Sequence, residues 1–356
     1  MMQISPEIQL FIREHSSDDV RVLALQAKKY PDIDMPTVIT QIAGRKVAAE
    51  KIPSWWEIEK IWYPKHLSLE QCSSEITARY KARLLQGDSL TDLTGGFGID
   101  CSFLATGFKS ATYVERQEEL CEIAAHNFPV LNLNHINIKN EDGVTYLQAM
   151  SPVDCLFLDP ARRNEHGGKT VAISDCEPNV AELEELLLQK ANRVMIKLSP
   201  MLDLSLALKE LKQTQEVHIL SVNNECKELL ILLGQTSPAE ISIHCVNLFT
   251  KGTQKEQHFV FTREQEQCSE CTYTDSLETY LYEPNASLLK AGAFRSIAAA
   301  YPVRKLHPNS HLYTSDTFIE NFPGRIFRIV NQCSFNKKEV KENLADLKKA
   351  NVTVRN

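Results

Sequence analysis

Residues 90–100 read "LTDLTGGFGID". The stretch closes a short apolar run on an acid, Asp92, and continues into Gly95, Gly96 and Gly98 before an apolar helical pattern resumes. Glycines in that position permit the tight strand-to-helix turn, and the close backbone approach, that a bound cofactor needs. A dinucleotide-type fingerprint would place its third glycine at position 101, which is Cys101. Hydride transfer is therefore disfavoured. The pattern Asp-x-x-x-Gly-x-Gly, running from Asp92 to Gly98, suits instead a cationic ligand with an amino-acid end.

Outward from this turn, β-type runs alternate with helical ones. "SLTDLT", "SATYVER", "INIKNED", "CLFLDP" and "RVMIKLSP" read as strands, separated by the helical "CSFLATGF", "EELCEIAAHNF", "VTYLQAM" and "NVAELEELLLQKA". Such alternation predicts a mostly parallel sheet with helices on both faces, an α/β Rossmann-like domain. "EVHILSV" and "KELLILLG", joined by "NNECK", predict a hairpin with an antiparallel edge strand. Two further β-runs, "ISIHCVNL" and "QHFVFTR", precede a polar stretch read as a linker, "EQEQCSECTYTDS". Acids recur at successive strand ends. Glu115 stands 23 residues after Asp92, where a carboxylate can accept both ribose hydroxyls, and Asp142 follows the third strand. Asp159 ends the fourth, because Pro160 cannot donate to a sheet ladder.

The chain has 356 residues, 43% of them hydrophobic and 24% charged, an ordinary globular composition. No apolar run approaches the roughly 18 to 20 residues of a membrane span, and the N-terminus lacks a signal-peptide layout. The expectation is a cytoplasmic protein without a membrane partner. Ten scattered cysteines fit reduced thiols in a cytosol. Only Cys268 and Cys271 form a Cys-x-x-Cys pair; without a second pair, and with His258 and Cys245 poorly placed to complete it, it reads as a loop and no metal is expected.

Residues 1–86 are helical in pattern and punctuated by prolines, an N-terminal helical domain. Within it Trp55, Trp56, Trp62 and Tyr63 lie beside Lys60, Lys65 and His66. Aromatics among cations can stack bases, but tryptophans in a helical domain ordinarily form core, which is the reading preferred here. Toward the other end, residues 285–356 carry twelve Lys or Arg against five Asp or Glu, although the whole chain has a net charge of −7. A basic end on an acidic body points to a polyanion partner.

The set "DLTGGFG", "YVER", "IKNED" and "LDPARR" resembles the class I S-adenosylmethionine-dependent methyltransferases over about residues 75–235. With the flanks "SLEQCSSEITARYKA" and "YLYEPNASLLKAGAF", the chain resembles the bacterial branch with a ferredoxin-like insert and a THUMP-like C-terminal domain. The resemblance implies a methyltransferase domain at 87–266, a ferredoxin-like α+β module at 273–315 and a THUMP-like module at 316–356, whose last β-run, "NVTVRN", reads either as cut short or as a terminal strand. It implies that Gly95, Gly96 and Gly98 line the methionine part of S-adenosyl-L-methionine with Asp92 near its amino group. Glu115 would hold the ribose, and Asp142 the adenine amine. THUMP domains are associated with RNA modification, so tRNA or rRNA is the implied partner.

"DPARR" carries the acceptor question. Enzymes that methylate exocyclic amines of bases have Asp/Asn-Pro-Pro-Tyr/Phe here, and this chain keeps Asp159 and Pro160 but continues with Ala161 and Arg162. RNA uracil-C5 methyltransferases match more closely, yet they need a cysteine nucleophile after the next strand, where this chain has Leu198, Ser199 and Pro200. Direct transfer to a nitrogen or oxygen remains, with Asp159 accepting the acceptor's N–H. Arg162 and Arg163 would then clamp a phosphate or base edge, and Lys197 and Ser199 would line the same cleft. A protein or small-molecule acceptor, and a non-catalytic RNA-binding factor retaining the fold, stay open as alternatives.

Overall fold

The computed structural model describes residues 4–162, 172–236, 238–334, 336–345 and 349. Arg163, the "RNEHGGKT" loop and the terminal "NVTVRN" lie outside the described residues. The chain divides into two compact units, one of residues 1–215 with 230–237 and the other of residues 216–229 with 238–356.

The first unit begins with helices α1 (Pro6–Glu14), α2 (Val20–Leu25), α3 (Met35–Lys51), α4 (Pro53–Trp56), α5 (His66–Gln71) and α6 (Glu75–Ala82). Ser5, Asp19 and Asp34 cap the first three, each side chain accepting a backbone N–H of the first turn. Phe11, Leu23, Met35, Val38 and Ile42 form a small core among α1, α2 and α3. The rest of the helical segment shares its core with the sheet domain: Ile52, Trp55, Ile61, Tyr63 and Leu69 cluster with Phe97, Ile99 and Leu120. Trp55 meets the ring of Phe97 edge-on, centroids 5.2 Å apart. Trp55 and Tyr63 are thus core, Trp62 stacks on His126 at 3.8 Å, and Trp56 is exposed beneath Arg45.

Next come β1 (Ser89–Asp92), α7 (Ile99–Ala105), β2 (Ser110–Glu115), α8 (Glu118–Val130), β3 (Ile136–Asn140), α9 (Gly143–Ala149) and β4 (Val153–Leu158). A two-residue ribbon pairs β5 (Ala161–Arg162) with β6 (Cys176–Glu177). α10 (Val180–Lys190), β7 (Ala191–Leu198), α11 (Leu204–Glu210), β8 (Thr214–Val222), β9 (Glu225–Gly234), β10 (Ser242–Leu248) and β11 (Glu256–Phe261) follow. The nine-stranded sheet has the order β11-β10-β8-β9-β7-β4-β1-β2-β3. Strands β3, β2, β1, β4 and β7 pair in parallel, as the alternation predicted. Their order reverses at β1, which has β2 on one side and β4 on the other. In open α/β sheets ligands bind beyond the carboxyl ends of the strands at such a switch.

β8 and β9 form the expected hairpin. Asn223 and Asn224, both at positive φ (50° and 66°), make its two-residue turn. The hairpin does not end the sheet, however: β10 adds in parallel to β8, and β11 adds antiparallel to β10 at the edge. β9 explains the difference. Its last seven residues are all buried, which only an interior strand achieves.

In the second unit the stretch read as a linker begins with a helix, α12 (Arg263–Cys268), started by a capping box between Thr262 and Gln265. Beyond it lie β12 (Tyr280–Pro284), α13 (Ala286–Ala291), α14 (Phe294–Ala300), β13 (Arg304–Lys305), β14 (Tyr313–Ser315), β15 (Gly324–Arg328) and α15 (Lys337–Asn343). The four strands make an antiparallel sheet, β13-β14-β12-β15, over Tyr282, Tyr313 and Phe322. β15, in the segment read as a separate module, pairs directly with β12.

Gly95 allows the loop after β1 to lie on Tyr113. A Cβ at Gly95 would stand 2.2 Å from a ring carbon of that fully buried tyrosine, whereas one at Gly107 would meet only a carbonyl oxygen at 3.7 Å. Gly95→Ala is expected to cost about 1–3 kcal/mol by overpacking, and Gly107→Ala to be near neutral. Urea unfolding of the two variants beside the parent checks this.

Candidate active site at the carboxyl edge of the sheet

Asp92 is the last residue of β1 and is completely buried. Its Oδ1 accepts the Thr94 N–H at 3.0 Å, while Oδ2 is buried and has no hydrogen-bond partner among the described residues. Burial pushes its carboxyl up to about 8, and the neighbouring Asp100 and Asp159 add to the shift. Thr94 also bridges strand ends, its hydroxyl accepting the Asp159 N–H at 2.6 Å.

The glycine turn is held by the next strand. Glu115, at the end of β2 and buried, accepts the Gly96 N–H through Oε2 and the Gln117 N–H through Oε1, both at 2.9 Å. Gly96 and Gly98 sit at positive φ (54° and 85°), which L side chains rarely adopt. A Cβ on Gly96 would meet nothing closer than a carbonyl oxygen at 3.8 Å, so the backbone there borders open space. Asp142 lies past β3 as the N-cap of α9, exposed, with Oδ1 accepting the Val144 and Thr145 N–H groups at 3.0 Å.

The largest electrostatic feature involves residues that the sequence did not single out. Asp100, in the first turn of α7, forms an ion pair with the wholly buried Lys81 of α6 through Oδ1 at 2.8 Å, and its Oδ2 accepts the Ser73 hydroxyl at 2.7 Å. Lys197, near the end of β7, reaches Asp100 Oδ2 at 3.3 Å, Ser73 Oγ at 3.0 Å and Asp159 Oδ2 at 2.5 Å. Lys81 and Lys197 thus face Asp100 and Asp159 across one hydroxyl. Burial opposes the ionised form of Asp100, but the two ammonium groups outweigh it and hold the carboxyl well below the usual range. Asp159 shifts the other way: desolvation raises its carboxyl against the pull of Lys197. Its side chain is nevertheless 36% exposed.

Of the residues read from sequence, Asp92, the glycines and Glu115 converge on one turn, and Asp159 and Lys197 on the adjoining strand ends. Pro160 is buried behind Asp159, and Arg162 belongs to the short ribbon with Cys176. Ser199 accepts the Met201 N–H at 3.3 Å, and Asp203 caps α11. Lys81 and Ser73 were invisible as site residues because a lone lysine among helical residues carries no motif. Asp100 had a signal, the acid two residues after Gly98. Cys268 is exposed, and no ligand cluster among the described residues includes the Cys-x-x-Cys pair.

The sheet order, glycine turn and acid-lined carboxyl edge define a protein of methyltransferase fold. A crystal structure of a candidate methyltransferase from Porphyromonas gingivalis W83 has a TM-score of 0.84 with this chain and is 35% identical, covering 95% of this chain and 85% of that one. The chain belongs to the family of that protein. A family model for a ferredoxin-like domain matches residues 280–323, the segment from β12 to just before β15. No curated protein matches. A modification subunit of a candidate type I restriction enzyme from Vibrio vulnificus YJ016 is 12% identical over 56% of each chain, with a TM-score of 0.39. SMU.1697c of Streptococcus mutans, solved with SAH, is 13% identical over 45% of this chain and 96% of that one, with a TM-score of 0.33. These two are too distant to carry an argument.

Removing Asp100 strands a fully buried ammonium. Asp100→Ala is expected to destabilise the protein by about 3–5 kcal/mol in urea unfolding, and adding Lys81→Met to recover part of that loss. Asp92 has the opposite character. Its folded pKa, about 8, lies above its ordinary value, so the fold binds a proton that the unfolded chain releases, and stability falls as pH rises through this interval. Asp92→Asn should therefore gain in Tm relative to the parent between pH 5 and about pH 8.5.

Proposed function

We propose that the protein is an S-adenosyl-L-methionine-dependent methyltransferase that modifies a base nitrogen of tRNA or rRNA. The observation that carries the cofactor assignment is the buried Asp92 Oδ2 at the β1 edge, which has no hydrogen-bond partner among the described residues. Asp100 and Asp159 meet the two ammonium groups of Lys81 and Lys197 there, whereas Asp92 is paired with neither among the described residues. A ligand carrying an ammonium group supplies the missing donor and favours the ionised form of Asp92. Asp92 would take that amino group, and Gly95, Gly96 and Gly98 would let the ligand lie against the backbone. Glu115, while anchoring the turn, retains lone pairs for ribose hydroxyls, and Asp142 stands at the third strand end for the adenine amine. When bound, the cofactor supplies a methyl group on a positively charged sulfur.

The chain's own residues then orient the acceptor. Asp159 accepts an N–H of the acceptor and takes up its proton as the nitrogen is methylated, while Lys197 holds that carboxylate in place. Pro160 fixes the backbone beside it. Arg162 and Arg163 would engage phosphate, with Ser199 beside Lys197 at the next strand end. The basic excess over residues 285–356 supports RNA as the partner, although Arg304 pairs with Glu278 and Arg325 with Glu283. The absence of an aromatic residue after Pro160 favours a second reading, a protein or small-molecule acceptor or a binding factor without turnover.

Total RNA and total protein from cells lacking the gene, incubated with methyl-labelled S-adenosylmethionine, separate these readings. RNA should take up label, with nucleoside digestion naming the base. Asp159→Ala should reduce transfer by at least about 100-fold while changing cofactor affinity little. Asp92→Asn should weaken cofactor binding by about 10- to 100-fold. Label in protein alone, or in neither fraction with cofactor bound, would replace the RNA assignment.

A further inference from the structure

The second unit carries a cluster of imidazoles that the transferase reading does not use. β8 and β10 pair in parallel with His218 opposite His244, and Glu216 precedes His218 by two residues on the same face of the sheet. β11 pairs antiparallel to β10 with His258 opposite Val246, which places His258 on that face, diagonal to His244. The rings of His218 and His244 stack at 4.2 Å with an interplanar angle of 14°. Glu216 Oε2 lies 3.2 Å from His218 Nε2, and one donor atom from each of Glu216, His218 and His244 lies within 4.8 Å of the others. His244 Nδ1 lies 3.2 Å from His258 Nε2.

The geometry points to a divalent transition-metal site of zinc type, with Glu216, His218 and His244 as ligands and His258 orienting the His244 ring. Two nitrogen or oxygen ligands about 2.0 Å from a tetrahedral zinc stand about 3.3 Å apart, close to the 3.2 Å between Glu216 Oε2 and His218 Nε2. Rotation of the His244 ring out of its stack on His218 would bring its donor nitrogen to the ion. A ligating histidine usually bonds through its other ring nitrogen to a neighbour that fixes its orientation, which is the position of His258. Two histidines and one carboxylate leave a fourth position for water or a partner's group. His218 is almost wholly buried while His258 is exposed, giving an ion a route in from the solvent side. The ion would staple β8 to β10, the first strand added beyond the interior hairpin.

The test uses the full chain, stripped with a chelator and titrated with Zn²⁺ and with Co²⁺. One equivalent should bind, Zn²⁺ should raise Tm by several degrees with EDTA reversing the change, and Co²⁺ should give the visible absorption of a four-coordinate site. His244→Gln and Glu216→Gln should each weaken Zn²⁺ binding by at least about 100-fold, and His258→Ala by about 10-fold. Equal Tm in Zn²⁺ and EDTA for the parent would overturn the assignment without recourse to any variant. So would Zn²⁺ binding that survives His244→Gln but is lost in Cys268→Ser, which would place the ion on the Cys-x-x-Cys pair.

Discussion

The buried contact between Asp100 and Lys81 is the constraint on which the first unit depends. Lys81 is fully enclosed, and moving an ammonium out of water is tolerable only where a carboxylate and further hydrogen bonds receive it. Asp100 provides the carboxylate from the helix that follows the glycine turn, and Ser73 provides the bridging hydroxyl. The helical segment, the turn and the end of β7 are thereby fixed in one arrangement. A hydrophobic cluster of the same size would hold these elements together with less demand on geometry. An ion network specifies where they sit, because each member satisfies the others only in this register.

That specification reaches the site through Lys197. It touches both Asp100, held as a carboxylate, and Asp159, whose carboxyl is raised by desolvation. Carboxyls with different environments at one cleft are suited to different tasks, and here one is buried in an ion network while the other is partly exposed. Asp92 completes the set with a buried oxygen that has no hydrogen-bond partner among the described residues. The glycine turn is similarly divided: Glu115 spends both oxygens holding it, yet the loop opens onto space at Gly96. Fold alone does not establish activity, and the transferase reading rests on these particular groups.

The second unit shows the same economy with a different chemistry. Its antiparallel sheet is organised by Tyr282, Tyr313 and Phe322, and its paired arginines are tied to Glu278 and Glu283. The basic surplus over its last residues is consequently smaller at the surface than a count of charges suggests. The histidine cluster, by contrast, comes together only because β10 and β11 extend the sheet beyond the hairpin.

The parallel sheet, the glycine turn and the acids at its strand ends were legible in the sequence, because period-two apolar runs, glycine and proline act over a few residues. Asp92, Glu115 and Asp159 followed from the same local logic: each stands at or beside a strand's last residue. What the sequence could not place were partners brought from far along the chain. Ser73, which with Lys81 precedes the sheet, meets Lys197 across more than a hundred residues, and no spacing rule encodes that encounter. The interior position of β9 and the edge position of β11 were likewise undetermined, since a hairpin's pattern does not say which neighbours it will take. Local backbone preferences chose the elements; long-range burial of charge and apolar surface decided which of them would meet.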